Sequence, residues 1–503
     1  MSTCEGLASH DPATGAARAP SPGSGLKADC LGAKDIVFFI IAAASPLTCI
    51  IATTAIMIGR GNGIGSPAAF AFVTGILLLF AVGYLAMTPF VRTAGSLYAY
   101  VTLGLGRHAG LGCAALMILA YTAVQAGCYG GFGYYAAELV QEATGLALPW
   151  WAYCFAATMA CLLLSLRGVH SGAVVLGVLL TTECLLLFVL CLGIVLNSPV
   201  PLAEFSLQPF SPRALLAPGV GVSLVFACAG FIGFEGSAIY REEARDPDRT
   251  IPRATYFAVV FMGTLFSVTT WLVINALGLD KAVAVARRES GNLIFHVSDL
   301  VLGHSATYFF NVFIITALFA ATLTFHNNIA RYLYTLGRQR LLWPALGHTS
   351  AIQKAPYVAC IAQIASVLVI LSLCAVIGLD PYNVVFATLT GWGAVGLIFA
   401  QAVASLAILA FFLRNRTGRS PGRILVAPAL ACLGFVAILL FAFRSADLLL
   451  GIDLALAVPV AMTVFLVFAG GMGFALVLRR RAPEAFARIH ASLTDGPAAV
   501  DAD

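Results

Sequence analysis

The sequence predicts an all-α integral membrane protein of twelve transmembrane helices, built as a five-plus-five inverted repeat with discontinuous helices one and six and two peripheral helices. Three observations predict this fold class: the composition, the number of apolar stretches, and two stretches that are interrupted midway. Hydrophobic residues make up 60% of the 503 residues and charged residues only 10%. Soluble domains have a very different balance. We therefore expect most of the chain to lie within a lipid bilayer.

Twelve apolar stretches are each roughly 20 residues long, the length at which a helix crosses the ~30 Å hydrocarbon core of a bilayer. We predict spans at residues 36–58, 67–90, 108–139, 149–166, 171–196, 217–240, 255–279, 304–330, 356–378, 383–412, 424–443 and 453–478. Residues 1–34 are rich in Gly, Ala, Pro and Ser and have no apolar core, which indicates a disordered cytoplasmic tail and not a signal peptide. Residues 481–503 form a second predicted cytoplasmic tail.

The lysines and arginines predict the orientation, because short cytoplasmic loops retain positive charge. With the N-terminus inside, 22 of the 28 Lys and Arg residues fall in inner segments. Both termini are therefore predicted to be cytoplasmic, in a multi-pass protein of the cytoplasmic membrane. The net charge of +5 follows from this topology and gives no reason to expect a nucleic-acid partner.

The sixth stretch is the most unusual segment. Gly230, Gly233 and Gly236 each weaken its helix propensity by about 1 kcal/mol relative to Ala. Glu235 is costly near the bilayer centre unless it has a partner or water. Non-helical backbone at this depth is tolerated only where it is packed in protein or lines a cavity. The segment therefore predicts a cavity close to the bilayer midplane.

A second interruption lies in the first stretch, where Ser45, Pro46 and Thr48 occupy the middle. Pro46 has no amide hydrogen and clashes with the preceding turn, which breaks or kinks a helix. The two interruptions are separated by five spans with their loops, and five is odd, so the second half must run inverted. Paired breaks in inverted halves indicate the binding site of a secondary transporter. The first half, the second half and the peripheral pair of spans are predicted at 35–200, 201–413 and 414–480.

Several other classes of protein are not expected. Only four lysines are present and none follows a glycine, so the phosphate loop of a nucleotide-driven pump is absent. The eight histidines and 13 cysteines show no metal-ligand spacing and no CxxC pair. An enzyme, a metal site and a cofactor are therefore not predicted.

Three motifs resemble conserved segments of the amino acid–polyamine–organocation (APC) superfamily. Residues 230–255, GFIGFEGSAIYREEARDPDRTIPRAT, resemble its sixth helix and the following loop. Residues 94–106, AGSLYAYVTLGLG, resemble the loop between helices two and three, and residues 325–340, FHNNIARYLYTLGRQR, resemble the end of helix eight. The resemblance covers roughly residues 35–480. It implies a five-plus-five inverted-repeat fold that carries an amino acid or organic amine by alternating access, driven by protons, sodium or exchange. A polyamine permease of the same fold, a non-transporting sensor and a channel remain alternatives.

The helix breaks offer groups for both ends of an amino acid. Unpaired amides at the start of a second half-helix would bind a carboxylate, and unpaired carbonyls at the end of a first half-helix would bind an ammonium. The family normally has a Gly-Ser-Gly-like break in helix one, whereas this chain has residues 44–48 at that position. Because Pro46 has no amide hydrogen, the amides of Leu47 and Thr48 would have to bind the carboxylate. Phe231 corresponds to the aromatic lid of relatives. The predicted substrate-binding residues are Ala43, Ala44, Ser45, Leu47, Thr48, Gln125, Ala229, Gly230, Phe231, Ile232, Gly233, Glu235 and Trp392.

Two buried acids are candidates for proton coupling. Glu235 lies in the sixth stretch, and Glu183 lies in the fifth, where some proton-coupled relatives place a titratable group. The alternative for Glu235 is a hydrogen bond that bridges helices, and for Glu183 it is structural pairing. Gln125 either faces the cavity or forms a polar packing seam.

The predicted gate consists of Phe231, Glu242 and Arg245, of which the last two belong to a loop of mixed charge. That loop forms either salt bridges at the inner gate or a solvated turn. The predicted partners are a small-molecule substrate, a coupling proton or cation, and the lipid bilayer. The sequence gives no oligomeric state.

Overall fold

The computed structural model describes residues 36–37, 40–41, 44–91, 96–167, 173–235, 246–350, 355–415 and 420–494. This part of the chain is helical and contains no β-strand. Its principal helices are α1 (Pro46–Gly59), α2 (Ser66–Met87), α3 (Ser96–Leu105), α4 (Arg107–Thr144), α5 (Trp150–Arg167), α6 (Ala173–Asn197), α7 (Val220–Ala229), α8 (Pro247–Leu277), α9 (Ala282–Glu289), α10 (Leu293–Leu302), α11 (His304–Arg338), α12 (Tyr357–Ile377), α13 (Ala387–Arg414), α14 (Ala427–Arg444), α15 (Leu454–Arg481) and α16 (Pro483–Thr494).

Nine helical segments of the described ranges are long and apolar enough to cross a membrane. Three shorter apolar helices, α1, Trp150–Leu166 within α5, and α7, overlap the remaining predicted stretches. The structure therefore agrees with an all-helical membrane protein. The count of twelve spans and the inverted repeat remain predictions.

Helix α4 lies at the centre of the molecule. It is the most buried of the nine long segments, and it packs against α11, α13 and α15. Because its neighbours cover most of its surface, side chains on α4 reach several helices at once. This position lets α4 contribute to both cavities described below.

The structure has helices that the twelve apolar stretches did not predict. Helix α3 lies in the loop before α4, and α9 and α10 lie between α8 and α11. Helix α16 lies in the predicted C-terminal tail, with Phe486 and Ile489 buried. The guanidinium carbon of Arg107 is 5.4 Å from the centroid of the Phe486 ring, close enough for a cation–π interaction. These helices are short or amphipathic, so they do not produce an apolar stretch of about 20 residues in the sequence.

The first apolar segment is interrupted at Ser45. Residues 40, 41 and 44 are helical, but Ser45 has φ 44° and ψ 79°, the left-handed conformation. Helix α1 begins at the next residue, Pro46, whose fixed φ and missing amide suit the first helical position. Pro46 therefore both ends the earlier helix and begins the next.

The sixth segment is interrupted after Ala229, where α7 ends. The chain continues through tight turns to Glu235, and Gly233 adopts φ 107°. Only glycine takes such a φ without strain. Within the predicted span at 217–240, a ten-residue helix therefore ends at Ala229 and turns follow from Gly230 to Gly233, while residues 236–245 lie outside the described ranges.

Candidate functional site

A small cavity lies between the two interruptions. Its volume is about 40 Å³, and a water needs roughly 10–15 Å³ by this measure. The cavity therefore holds a few waters and must widen before it admits an amino acid or amine. It is lined by Ala44, Ser45, Thr48, Cys49, Thr53, Val124, Cys128, Ala229, Gly230, Ile232, Ala321, Phe325, Phe386 and Thr390.

Polar groups at the first break face Glu183 of α6. The Ser45 Oγ atom lies 2.9 Å from Thr48 Oγ1 and 3.4 Å from Glu183 Oε2. The Leu47 backbone N–H also donates to the Glu183 carboxyl group, which is 3% exposed. Amides at a helix N-terminus favour negative charge. The protein's own carboxyl group thus occupies the end of α1 that the sequence assigns to a substrate carboxylate.

Residues of the second break line the same cavity. The Ala229 backbone oxygen already accepts a hydrogen bond from the Ile232 N–H at 3.1 Å within the turn. The oxygens of Gly230 and Ile232 accept no backbone hydrogen bond from the described part of the chain. Both residues line the cavity, so these two oxygens are suitable acceptors for a cationic group.

The two breaks touch at Gly230. A Cβ atom built on Gly230 would lie 2.4 Å from Cys49 Sγ, closer than real Cβ contacts. The backbone at position 230 approaches α1 so closely that a side chain there meets the Cys49 thiol. The close approach of Cys49 favours glycine at this point, whereas the φ of −64° would suit any residue.

Glu235 lies outside the cavity lining and joins three helices. The Tyr121 hydroxyl of α4 donates to Glu235 Oε1 at 2.5 Å, and the Gly233 N–H donates to Oε2 at 3.1 Å. The Tyr84 hydroxyl of α2 donates to the backbone oxygen of Glu235 at 2.6 Å. Glu235 is 1% exposed, and a buried polar group needs such partners. Its geometry favours the helix-bridging alternative.

We therefore expect Glu235→Ala to lower stability strongly, because Tyr121 and Gly233 lose a buried acceptor. A cost of about 2–4 kcal/mol is reasonable for an acceptor shared by two donors. Glu235→Gln should be milder, because its amide oxygen can accept from the Gly233 N–H while its NH2 group donates to the Tyr121 hydroxyl, which can also accept. Thermal unfolding in detergent measures both variants. Equal melting temperatures for Glu235→Ala and the wild type would contradict the bridging role.

Several predicted site residues lie away from the cavity. Gln125 donates to the Thr322 backbone oxygen at 3.2 Å and accepts from Gln363 at 2.8 Å, which forms a polar packing seam. Trp392 Nε1 donates to Val460 O and Thr463 Oγ1 of α15, both at 3.1 Å.

The remaining candidates fall into two groups. Phe231 packs edge-on against Phe266, with ring centroids 5.6 Å apart, and neither Phe231 nor Leu47 nor Gly233 lines the cavity. Ala43, Glu242 and Arg245 lie outside the described residues, so their predicted roles stay predictions.

Sequence reasoning did not identify the individual residues that α4 and α11 supply to the cavity walls. Val124 and Cys128 are one helical turn apart, as are Ala321 and Phe325. This spacing is visible in the sequence. It identifies a site only once the face that turns inward is known.

A polar cluster lies at the end of α1 and joins it to the chain segments around Ser290 and Asn383. Arg60 donates through Nη2 to Asn383 Oδ1 at 2.6 Å and through Nη1 to Asn383 O at 3.1 Å. Ser290 Oγ donates to the same Oδ1 at 3.1 Å, and Arg287 Nε donates to Gly59 O at 2.8 Å. The Tyr382 hydroxyl donates to the Ala52 backbone oxygen at 2.8 Å, which adds a further hydrogen bond to α1. We name Arg60, Arg287, Ser290, Tyr382 and Asn383 the closing cluster.

We expect Arg60→Ala to open the structure at this end of α1, because it removes two charge-assisted hydrogen bonds. Such bonds contribute roughly 1.5–3 kcal/mol each, so the open population should rise about tenfold or more. Labelling of the cavity thiols Cys49 and Cys128 by a membrane-impermeant maleimide, read by peptide mass spectrometry, measures this change. Arg213→Ala, an exposed arginine, is the control. Equal labelling rates in both variants would show that the closing cluster is not a barrier.

Comparison with known proteins places this architecture in a family. The model of the amino acid permease family matches residues 32–471. The chain therefore belongs to the amino acid permease family, which confirms the predicted APC superfamily and a multi-pass membrane protein.

Among individual proteins, the chain is similar to the low-affinity putrescine importer PlaP of Escherichia coli K12 and of Escherichia coli O157:H7. The identity to each is 24% over 284 residues, which are 54% of this chain and 59% of the importer. The match thus spans a little over half the length of these relatives.

Proposed function

We propose that the protein is a secondary active transporter that moves an amino acid or a related small amine across the cytoplasmic membrane by alternating access. Transport is coupled to protons or proceeds by exchange. The proposal includes twelve spans in a five-plus-five inverted repeat, with α1 and α7 as parts of the two broken helices and both termini in the cytoplasm.

The observation that carries this proposal is the cavity between the breaks at Ser45 and Ala229. Ser45 and Thr48 of the first break and Gly230 and Ile232 of the second line it. Backbone groups released from helical hydrogen bonding need a polar partner at membrane depth. A small polar solute that enters when the cavity widens supplies that partner.

One feature favours an amine over an amino acid. Glu183 accepts from the Leu47 amide, the group expected to bind a substrate carboxylate. A substrate without a carboxylate does not compete with Glu183, and its ammonium finds carbonyl oxygens at Gly230 and Ile232. The similarity to a putrescine importer supports the same alternative.

The test is counterflow in sealed vesicles that contain the purified protein. Ornithine and putrescine form a matched pair, because they differ by one carboxylate, and a neutral amino acid with its decarboxylated amine forms a second. A transporter gives saturable, trans-stimulated uptake of at least one member. Binding without uptake would indicate a sensor, uptake without trans-stimulation would indicate a channel, and either result would overturn the proposal.

Within each pair the preference decides the substrate class. Faster counterflow of the amine supports occupation of the carboxylate position by Glu183. Faster counterflow of the amino acid means that Glu183 gives way to the substrate.

A further inference from the structure

A large apolar groove lies on the opposite side of α4 from the cavity between the breaks. Its volume is about 860 Å³, and its walls come from α4, the end of α11 with the following loop, α12 and α15. The lining is apolar except for Thr122, Gln363 and Ser366. These three bond to protein: Gln363 donates to Thr122 Oγ1 at 3.2 Å, and Ser366 donates to Gln363 O at 2.7 Å. The groove is therefore suited to a hydrocarbon chain and not to a polar solute.

The length of the groove matches one leaflet of a bilayer. It runs along α4 from Leu111 to Thr122, which is about 16 Å at 1.5 Å per residue. Half of a ~30 Å hydrocarbon core is about 15 Å. An acyl chain of one leaflet fits this length.

One end of the groove is basic. Arg338 and Arg340 lie between the lining residues Leu336 and Leu341. On α15, a run of three arginines begins at Arg479, five residues after the lining residue Phe474. Arg340, Arg479, Arg480 and Arg481 are exposed. This end is also the predicted cytoplasmic side, where bilayers carry anionic lipid. Guanidinium groups bind phosphate groups well, because they donate several hydrogen bonds in one plane.

We propose that this groove is a binding site for an anionic phospholipid, with one acyl chain in the groove and its phosphate on Arg340 and the arginines that end α15. The site is separate from the cavity between the breaks and does not depend on the identity of the transported substrate. The groove lies away from both helix breaks.

Two glycines on α15 provide a matched test. Gly470 lines the groove, and a Cβ atom built there meets no atom within 4 Å. Gly473 has the same open surroundings but does not line the groove. The Cβ atom of Gly470→Phe therefore meets no atom at a position in the groove lining, and Gly473→Phe adds the same side chain beside the groove.

The experiment compares phosphatidylglycerol with phosphatidylcholine of identical acyl chains, added to the full-length protein in detergent. Native mass spectrometry and the melting temperature are the two readouts. We expect the wild type and Gly473→Phe to retain one phosphatidylglycerol and to show a larger rise in melting temperature with it than with phosphatidylcholine. Gly470→Phe should lose both effects. The double variant Arg340→Gln with Arg479→Gln should lose the preference for phosphatidylglycerol, whereas Arg213→Gln should keep it.

Three outcomes would overturn the proposal. Retention of lipid by Gly470→Phe at the wild-type level places the lipid elsewhere. An equal response to both lipids in the wild type removes the role of the arginines. A change in oligomeric state caused by Gly470→Phe but not by Gly473→Phe makes the groove a contact between copies of the chain.

Discussion

Replacing Gly230 by alanine abolishes most transport while the protein still folds. The new methyl group would lie 2.4 Å from Cys49 Sγ, so either the thiol must turn away from Thr53 Oγ1 or α1 and the end of α7 must move apart at the cavity. Overpacking of this kind costs about 1–3 kcal/mol, and each 1.4 kcal/mol is a factor of ten in a rate or an equilibrium. We expect counterflow to fall about tenfold or more, measured in vesicles with matched amounts of protein.

Two controls isolate the contact. Gly75→Ala on α2 adds the same methyl group where no atom lies within 4 Å, and it should transport at the wild-type rate. The double variant Gly230→Ala with Cys49→Ala removes the sulfur that the methyl group meets, and it should recover much of the lost activity. Wild-type counterflow by Gly230→Ala would mean that the crossing of the two breaks is not part of the transport path.

The second large effect is expected from Glu183→Gln. Glutamine keeps the size of the side chain and can still accept from the Leu47 amide, but it cannot take up and release a proton. If Glu183 carries the coupling proton, accumulation driven by a pH gradient should fall to simple equilibration, while counterflow without a gradient continues. Uptake of labelled substrate with and without an imposed pH gradient separates the two.

Glu235→Gln is the matched control for that experiment, because it also neutralises a buried acid beside the same site. Its hydrogen bonds to Tyr121 and Gly233 give it a bridging role, so pH-driven accumulation should persist. Accumulation by Glu183→Gln at the wild-type level would remove Glu183 from proton coupling. Loss of accumulation in Glu235→Gln alone would move the role to Glu235.

The breaks could be predicted because their causes are local. Pro46 cannot continue a helix, and the glycines from 230 to 236 weaken one, so both signals are visible within a few residues of the chain. The long apolar helices were predictable for the same reason, since hydropathy over about 20 residues determines whether a helix can cross a bilayer.

The partners of individual side chains could not be predicted, because they depend on which face of each helix turns inward. Glu235 meets Tyr84 and Tyr121, more than a hundred residues away, and Trp392 turns to α15 instead of the cavity. Arg60 meets Asn383, which is 323 residues away in the sequence. An apolar sequence with a uniform composition gives little indication of such faces.

The engagement of Glu183 with the start of α1 illustrates the limit most clearly. The sequence places an acid in the middle of α6 and a break in the first apolar segment, but it does not say that they meet. Once they do, the amide expected to bind a substrate carboxylate has a partner within the protein. The choice between an amino acid and an amine then depends on a contact that only three-dimensional structure provides.

A structure of the protein in lipid with its transported substrate bound would locate the binding site directly. We predict substrate density between residues 44–49 and 229–232, with a nitrogen atom about 3 Å from the backbone oxygens of Gly230 and Ile232. Substrate bound elsewhere, or continuous helix through both Ser45 and Gly230 in the bound state, would contradict it.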